Sequence, residues 1–317
     1  MQQLLVFALR DPAGSWVHLA RALRAEGVVQ ARVVTLEHDP QCGWPTDIAE
    51  VFDGGQELAH LVDHADGFCL VDLQPEEVTL FGGRVAARIE RGDVRVAMQI
   101  DSTRNELRAR ALARTAAHRG WPLVCSRPGL AGTAGVETLA PFLPLTRAPW
   151  LPQPPGTRAR ARRHQAMVFA SALGPLRDDA ELEGWVDAAE ALAASNPGVR
   201  VEVLCARAHG IVAARRRRAS LSLVGGGLGR TALESLAQGV PVVTTMTPPE
   251  HAAWSLLAGA PPPVHEPASL PQLLAALHPA ADPDLRLRAW ALRAAAPQRW
   301  FDAVTRWMAP HAAHRAA

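Results

Sequence analysis

The chain has 317 residues, a formal net charge of +2 and a hydrophobic fraction of 48%, enough length for two ordinary domains and enough apolar content for sizeable cores. No run reaches the roughly 18 uncharged apolar residues a membrane helix needs, and the N-terminus MQQLLVFALRDP lacks a basic start and a small-residue cleavage site, so a cytoplasmic protein is expected. All 33 basic residues are arginine, which excludes a lysine Schiff base and any lysine contact to phosphate.

In chain order, LLVFAL (4–9) reads as a first strand, Trp16 to Glu26 as an amphipathic helix and ARVVTL (31–36) as a second strand. A helix candidate near 56–64 leads into GFCLVDL (67–73), and VRVAMQI (94–100) precedes an arginine-rich helix over 104–119 and the strand PLVCS (122–126). Short apolar runs separated by helix-length segments predict a parallel sheet covered by helices. TRAPWLPQPPGTRARARRHQ (146–165) is proline-rich and basic and predicts a linker. The alternation then restarts with AMVFAS (166–171), a helix over 179–194, VRVEVLC (199–205), a short helix over 207–217, ASLSLV (219–224), a helix over 229–238 and PVVTT (241–245). The segment 283–310 is predicted helical, with Trp300, Phe301, Val304 and Trp307 at helical spacing.

The domain reading is therefore an N-terminal lobe over 1–148, a linker over 149–165, a C-terminal lobe over 166–297, and a closing helix and tail over 298–317. Cys42, Cys69, Cys125 and Cys205 form no CxxC pair, and the last three sit in strand-like runs as buried free thiols. The histidines are read as showing no HxxxH or HExxH spacing on any helix, and no metal is expected. The clusters RARARR (158–163) and RRRR (215–218) read first as solvated charge and second as a nucleic-acid surface.

One stretch stands apart. GGGLGRTALESLAQGVPVVTT (225–245) follows a strand and opens a helix, so its glycines lie at a strand-to-helix turn. A helix N-terminus offers free N–H groups and a positive dipole end to an anionic phosphate, and glycines allow close backbone approach. The spacing is neither GxGxxG nor a P-loop, and a tight turn with no ligand is the plain alternative.

The run GLGRTALESLAQGVPVV, with AMVFASALGPLRDD (166–179) and the segments 261–277 and 282–300, resembles the C-terminal lobe of retaining glycosyltransferases of the GT-B fold. The N-terminal lobe is similar only loosely, in DPAGSWVHLARALRAEG (11–27) and GVETLAPFLP (135–144). The resemblance implies an α/β protein of two Rossmann-like lobes, parallel sheets facing a central cleft, and a C-terminal helix crossing back to the N-terminal lobe. It implies a UDP- or GDP-sugar donor held mainly by the C-terminal lobe, an acceptor held by the N-terminal one, and a front-face reaction with retention. Glu234 would take the ribose hydroxyls, and Gly226, Gly227, Leu228, Gly229, Arg230 and Thr231 would meet the diphosphate, with Gly14 and Ser15 from the N-terminal lobe in the same binding set. Arg177 falls on the family's phosphate-binding lysine, while its arginine falls on Ala172. The donor-sugar glutamate of many members falls on Gly226, and their histidine falls near Ile100, with Asp101 beside it as a catalytic candidate. An inverting enzyme would use Asp101 or Asp11 as base. The acceptor is a small molecule or glycan, with a hydroxymethylated DNA base as an alternative, and a protein that binds without catalysis is a further one.

Overall fold

The apolar runs are rich in β-branched and aromatic residues, and they pair in parallel, with the intervening helices closing both faces. The computed structural model describes residues 1–11, 14–36, 48–49, 55–100, 106–126, 136–147, 150–154, 165–172, 176–205, 207, 209–277 and 282–309. They fall into two compact units: the first holds the described residues up to Phe142 and those from Ala296 onward, and the second spans Leu143–Ala295.

In the first unit, β1 (Gln3–Ala8) is followed by α1 (Ser15–Ala25), β2 (Gln30–Thr35), β3 (Ile48–Ala49), α2 (Gly55–His64) and β4 (Gly67–Val71). A 3-10 turn (Pro75–Phe81), α3 (Gly83–Arg91), β5 (Arg95–Ile100), α4 (Glu106–Arg119), β6 (Leu123–Cys125) and β7 (Val136–Thr138) complete it. The sheet order is β3-β2-β1-β4-β5-β6-β7, parallel throughout. One face packs Phe7, Phe68 and Leu70 against α2, α3 and α4, and the other packs Val6, Val33 and Cys69 against α1 and the last helix of the chain, Pro297–Met308. That last helix belongs to this unit: Trp300 is 2% exposed, donates its indole N–H to Ala140 O at 2.8 Å, and meets Trp16 edge-on at 5.5 Å.

In the second unit, β8 (Ala166–Ala172), α5 (Ala180–Ser195), β9 (Val199–Cys205), α6 (His209–Arg216), β10 (Leu221–Leu223), α7 (Arg230–Ala237) and β11 (Val242–Val243) alternate as the sequence predicts. They are followed by α8 (Pro248–Ala258), α9 (Leu270–Ala275) and α10 (Leu285–Ala294). The parallel sheet runs β11-β10-β8-β9. The chain steps from β8 to β9 on one side and to β10 on the other, so its switch point lies between β8 and β10, where open α/β sheets place ligands beyond the strands' carboxyl ends.

Two expectations are revised. The helix predicted over 283–310 is two helices, α10 and α11 (Pro297–Met308), because Pro297 lacks an N–H and starts a helix where it could not continue one. The 3-10 turn, α3 and α8 lie where the sequence pattern predicts no element. The expected linker lies mostly outside the described residues, as does the whole RARARR cluster, whereas Trp150 is buried in the second unit. Of the cysteines, Cys69 and Cys125 are buried free thiols and Cys205 on edge strand β9 is a half-buried one, while Cys42 lies outside the described residues. Burial pushes the Cys69 thiol up to about 12. No helix among the described residues is long and apolar enough to cross a membrane.

Candidate functional site

The two loops that leave the switch point of the second unit lie against each other. After β8 comes the short turn Leu176–Asp178, which carries Arg177, and then Asp179, whose Oδ1 accepts from Leu182 N at 3.1 Å and caps α5. After β10 comes Gly225, where any Cβ would collide with the Asp179 carboxylate. Gly226 and Gly227 follow at φ +73° and +89°, a region that side chains disfavour. Leu228 is 2% exposed and anchors the loop, and Gly229 donates its N–H to Gly227 O at 2.9 Å. Arg230 and Thr231, both half-buried, open α7, whose first-turn N–H groups end at this loop. Arg177 is exposed. On the other side of Gly227, Glu250 Oε1 lies 3.4 Å and Thr245 O 3.7 Å from where a Cβ would stand.

Glu234, one turn further along α7, is only 1% exposed. Its Oε2 accepts from Arg216 Nη1, and its Oε1 lies 2.7 Å from His209 Nε2. Arg216 is itself 1% exposed, and the His209 ring stacks at a tilt on Trp150, with centroids 5.9 Å apart. Burial alone would raise the Glu234 pKa, but the charges and hydrogen bonds of His209 and Arg216 outweigh it and hold the carboxyl well below the ordinary range. Glu234 is thus buried and ion-paired rather than exposed on its helix. Both of its oxygens are engaged in tying α6 to α7.

The remaining expected site residues fall elsewhere. Gly14 and Ser15 start α1 in the first unit, where Ser15 Oγ donates to Phe142 O at 3.1 Å. Asp11 Oδ2 accepts from the N–H groups of Trp16 and Val17, both at 3.0 Å, so its carboxylate caps α1. Asp101 lies outside the described residues, and Ile100 is fully buried. Contrary to the expectation of no HxxxH spacing on a helix, His60 and His64 stand one turn apart on α2 with ring centroids 4.3 Å apart, but no cluster of three His, Cys, Asp or Glu able to hold a metal occurs among the described residues.

Sequence reasoning passes over His209, Glu250 and Arg288, and it reads Arg216, within RRRR (215–218), as solvated charge, whereas Arg216 is 1% exposed and paired with Glu234. Arg288 reaches from α10 to Ala237 O at 2.8 Å, Leu145 O at 3.2 Å and Trp150 O at 3.3 Å, closing the unit around α7, and burial lowers its pKa. Glu250 has a signal: Thr247-Pro-Pro-Glu250 is a capping-box pattern. For His209 and Arg216 there is none, since only packing brings α6 onto α7.

No family model and no curated protein matches the chain. Solved structures do. An alpha-glucosyltransferase in complex with UDP and a 13-mer DNA containing a HMU base is similar at a TM-score of 0.57 and 10% identity, over 96% of this chain and 99% of that one. The UDP-GlcNAc 2-epimerase from Neisseria meningitidis bound to UDP-GlcNAc is similar at 0.54 and 9% identity, over 96% and 100%. The catalytic domain of starch synthase IV from Arabidopsis thaliana bound to ADP and acarbose is similar at 0.51 and 10% identity, over 97% and 99%. At these identities the likeness is one of fold, and the fold is GT-B: two Rossmann-like units with parallel sheets and a last helix that packs on the first unit.

Proposed function

We propose that the chain is a glycosyltransferase that moves a sugar from a UDP- or GDP-sugar to a hydroxyl acceptor with retention, in the cytoplasm. The observation that carries this reading is the convergence at the β8/β10 switch point, where the turn holding Arg177 lies against a glycine loop that ends on a helix N-terminus. Two of the fold neighbours were solved with UDP or UDP-GlcNAc. A diphosphate carries about two negative charges and a helix N-terminus offsets about half of one, so Arg177 and Arg230 supply the rest. The acceptor oxygen attacks the anomeric carbon as the bond to the leaving phosphate oxygen breaks, and that oxygen takes the acceptor's proton. No protein base is needed, and the loop N–H groups and arginines stabilise the departing charge; Asp101 is the base of the inverting alternative. Glu234 supports the site by tying α7 to α6, and it meets a ribose only where His209 releases Oε1. The test is incubation with a panel of UDP- and GDP-sugars while following release of the nucleoside diphosphate. Binding without release under any acceptor leaves a non-catalytic binding protein, and absence of binding refutes the reading.

A DNA acceptor is the second reading. Arg110, Arg114 and Arg119 are exposed on α4, and one fold neighbour was solved with UDP and DNA containing a HMU base. Such an enzyme extrudes its target base from the stack, and its activity falls steeply with salt. Transfer to a DNA-free acceptor with little salt dependence sets this reading aside.

A further inference from the structure

The donor reading gives the diphosphate its partners and leaves the sugar end of the donor without one. Beside the glycine loop stand the carboxylates of Asp179 and Glu250, and Glu181 meets Thr245. Asp179 caps α5 and fills the space over Gly225. Glu181 Oε2 accepts from Thr245 Oγ1 at 3.3 Å. Glu250 is divided: its Oε2 accepts from Thr247 N at 2.7 Å and from Thr247 Oγ1 at 2.9 Å, closing the capping box of α8. Its Oε1 makes no hydrogen bond among the described residues and faces Gly227. Among the described residues no atom lies within 4 Å of a Cβ built on Gly226.

We propose that Glu250 Oε1 accepts hydrogen bonds from hydroxyls of the donor sugar and thereby selects which nucleotide-sugar the loop takes, an assignment that rests on the donor reading above. The capping box holds the carboxylate in place before any ligand arrives, so little side-chain freedom is lost on binding. A carboxylate so close to the loop repels a bare diphosphate, whereas it makes charge-assisted hydrogen bonds with hydroxyls. The same oxygen therefore weakens binding of the nucleotide alone and strengthens binding of the nucleotide-sugar. A residue that merely caps a helix moves both affinities together.

The experiment is calorimetry on the wild type and Glu250→Gln with UDP, UDP-glucose, GDP and GDP-mannose. Glutamine at the third helical position keeps the capping box, so the fold is retained. Should E250Q nevertheless unfold, Glu250→Asp, which keeps the charge and withdraws the oxygens by one methylene, serves for the same comparison. The expected result is a loss of about tenfold or more in affinity for the nucleotide-sugar, with affinity for the bare nucleotide unchanged or raised, as loss of one charged hydrogen bond implies. If the wild type binds a nucleoside diphosphate and the variant changes both ligands equally, or neither, Glu250 has no part in sugar recognition while the donor reading stands. If the wild type binds none of the four probes, the donor reading itself fails and takes this assignment with it.

Discussion

Glu234→Ala is expected to destabilise the second unit rather than act only on ligand binding. Removing the carboxylate strips both partners from a buried network, and Arg216, 1% exposed, is left as an uncompensated charge. Breaking a buried pair on one side costs about 3–5 kcal/mol, which for a unit of this size lowers Tm by roughly 10 °C. Replacing both members, as Glu234→Leu with Arg216→Met, removes charge and countercharge together and is expected to recover most of the loss. The pH dependence has a definite sign. The folded carboxyl is depressed below its unfolded value of about 4.3, so its contribution is complete above that pH and disappears as the pH falls below it. Urea unfolding of wild type, single and double variants at pH 7 and pH 3 reads all of this: wild type loses more stability than the double variant on acidification. A Glu234→Ala protein within about 1 kcal/mol of wild type at pH 7 refutes the reasoning.

Arg177→Ala is expected to lower kcat/KM by about a hundredfold or more through loss of a bidentate phosphate clamp, with lysine restoring only part and EDTA changing little; full activity in the alanine variant, or complete loss on chelation, shows the phosphate site to be misassigned. Trp300→Ala removes a 2% exposed indole from the face of the first sheet and its bond to Ala140 O, so a loss of about 3–5 kcal/mol is expected in denaturant melts, and near-wild-type stability contradicts the packing of α11. Gly225→Ala drives a methyl into the Asp179 carboxylate and is expected to lower both Tm and nucleotide affinity; an unperturbed variant means that the two loops are not pressed together in solution.

What can be read along the chain is what local chemistry dictates. LLVFAL, GFCLVDL, VRVAMQI and AMVFAS announce buried parallel strands because a strand covered on both faces must be apolar at nearly every position, and β1, β4, β5 and β8 are those strands. The glycine loop announces itself because positive φ and a close neighbour leave no room for a side chain, and Gly225, Gly226 and Gly227 meet one or other of those conditions. Trp300 and Trp307 announce a buried helix face by their spacing, and both are buried. Weaker local signals are lost: α3 shows only Val85 and Ile89 as buried apolar positions among arginines, and the helical pattern on either side of Pro297 hides the break between α10 and α11.

Tertiary structure alone decides the rest. The parallel pairing of β8 with β10 brings the loop that opens at Gly225 beside the turn that carries Arg177, although the two lie far apart along the chain. Packing of α6 on α7 likewise turns Glu234 inward onto Arg216 and His209, and the first turn of α8 sets Glu250 against Gly227. The physical reason is common to all three. Propensity and periodicity act over a few residues and are written in the chain, whereas which charge meets which depends on strand order and on helices packing across a sheet, and no short stretch of sequence encodes that.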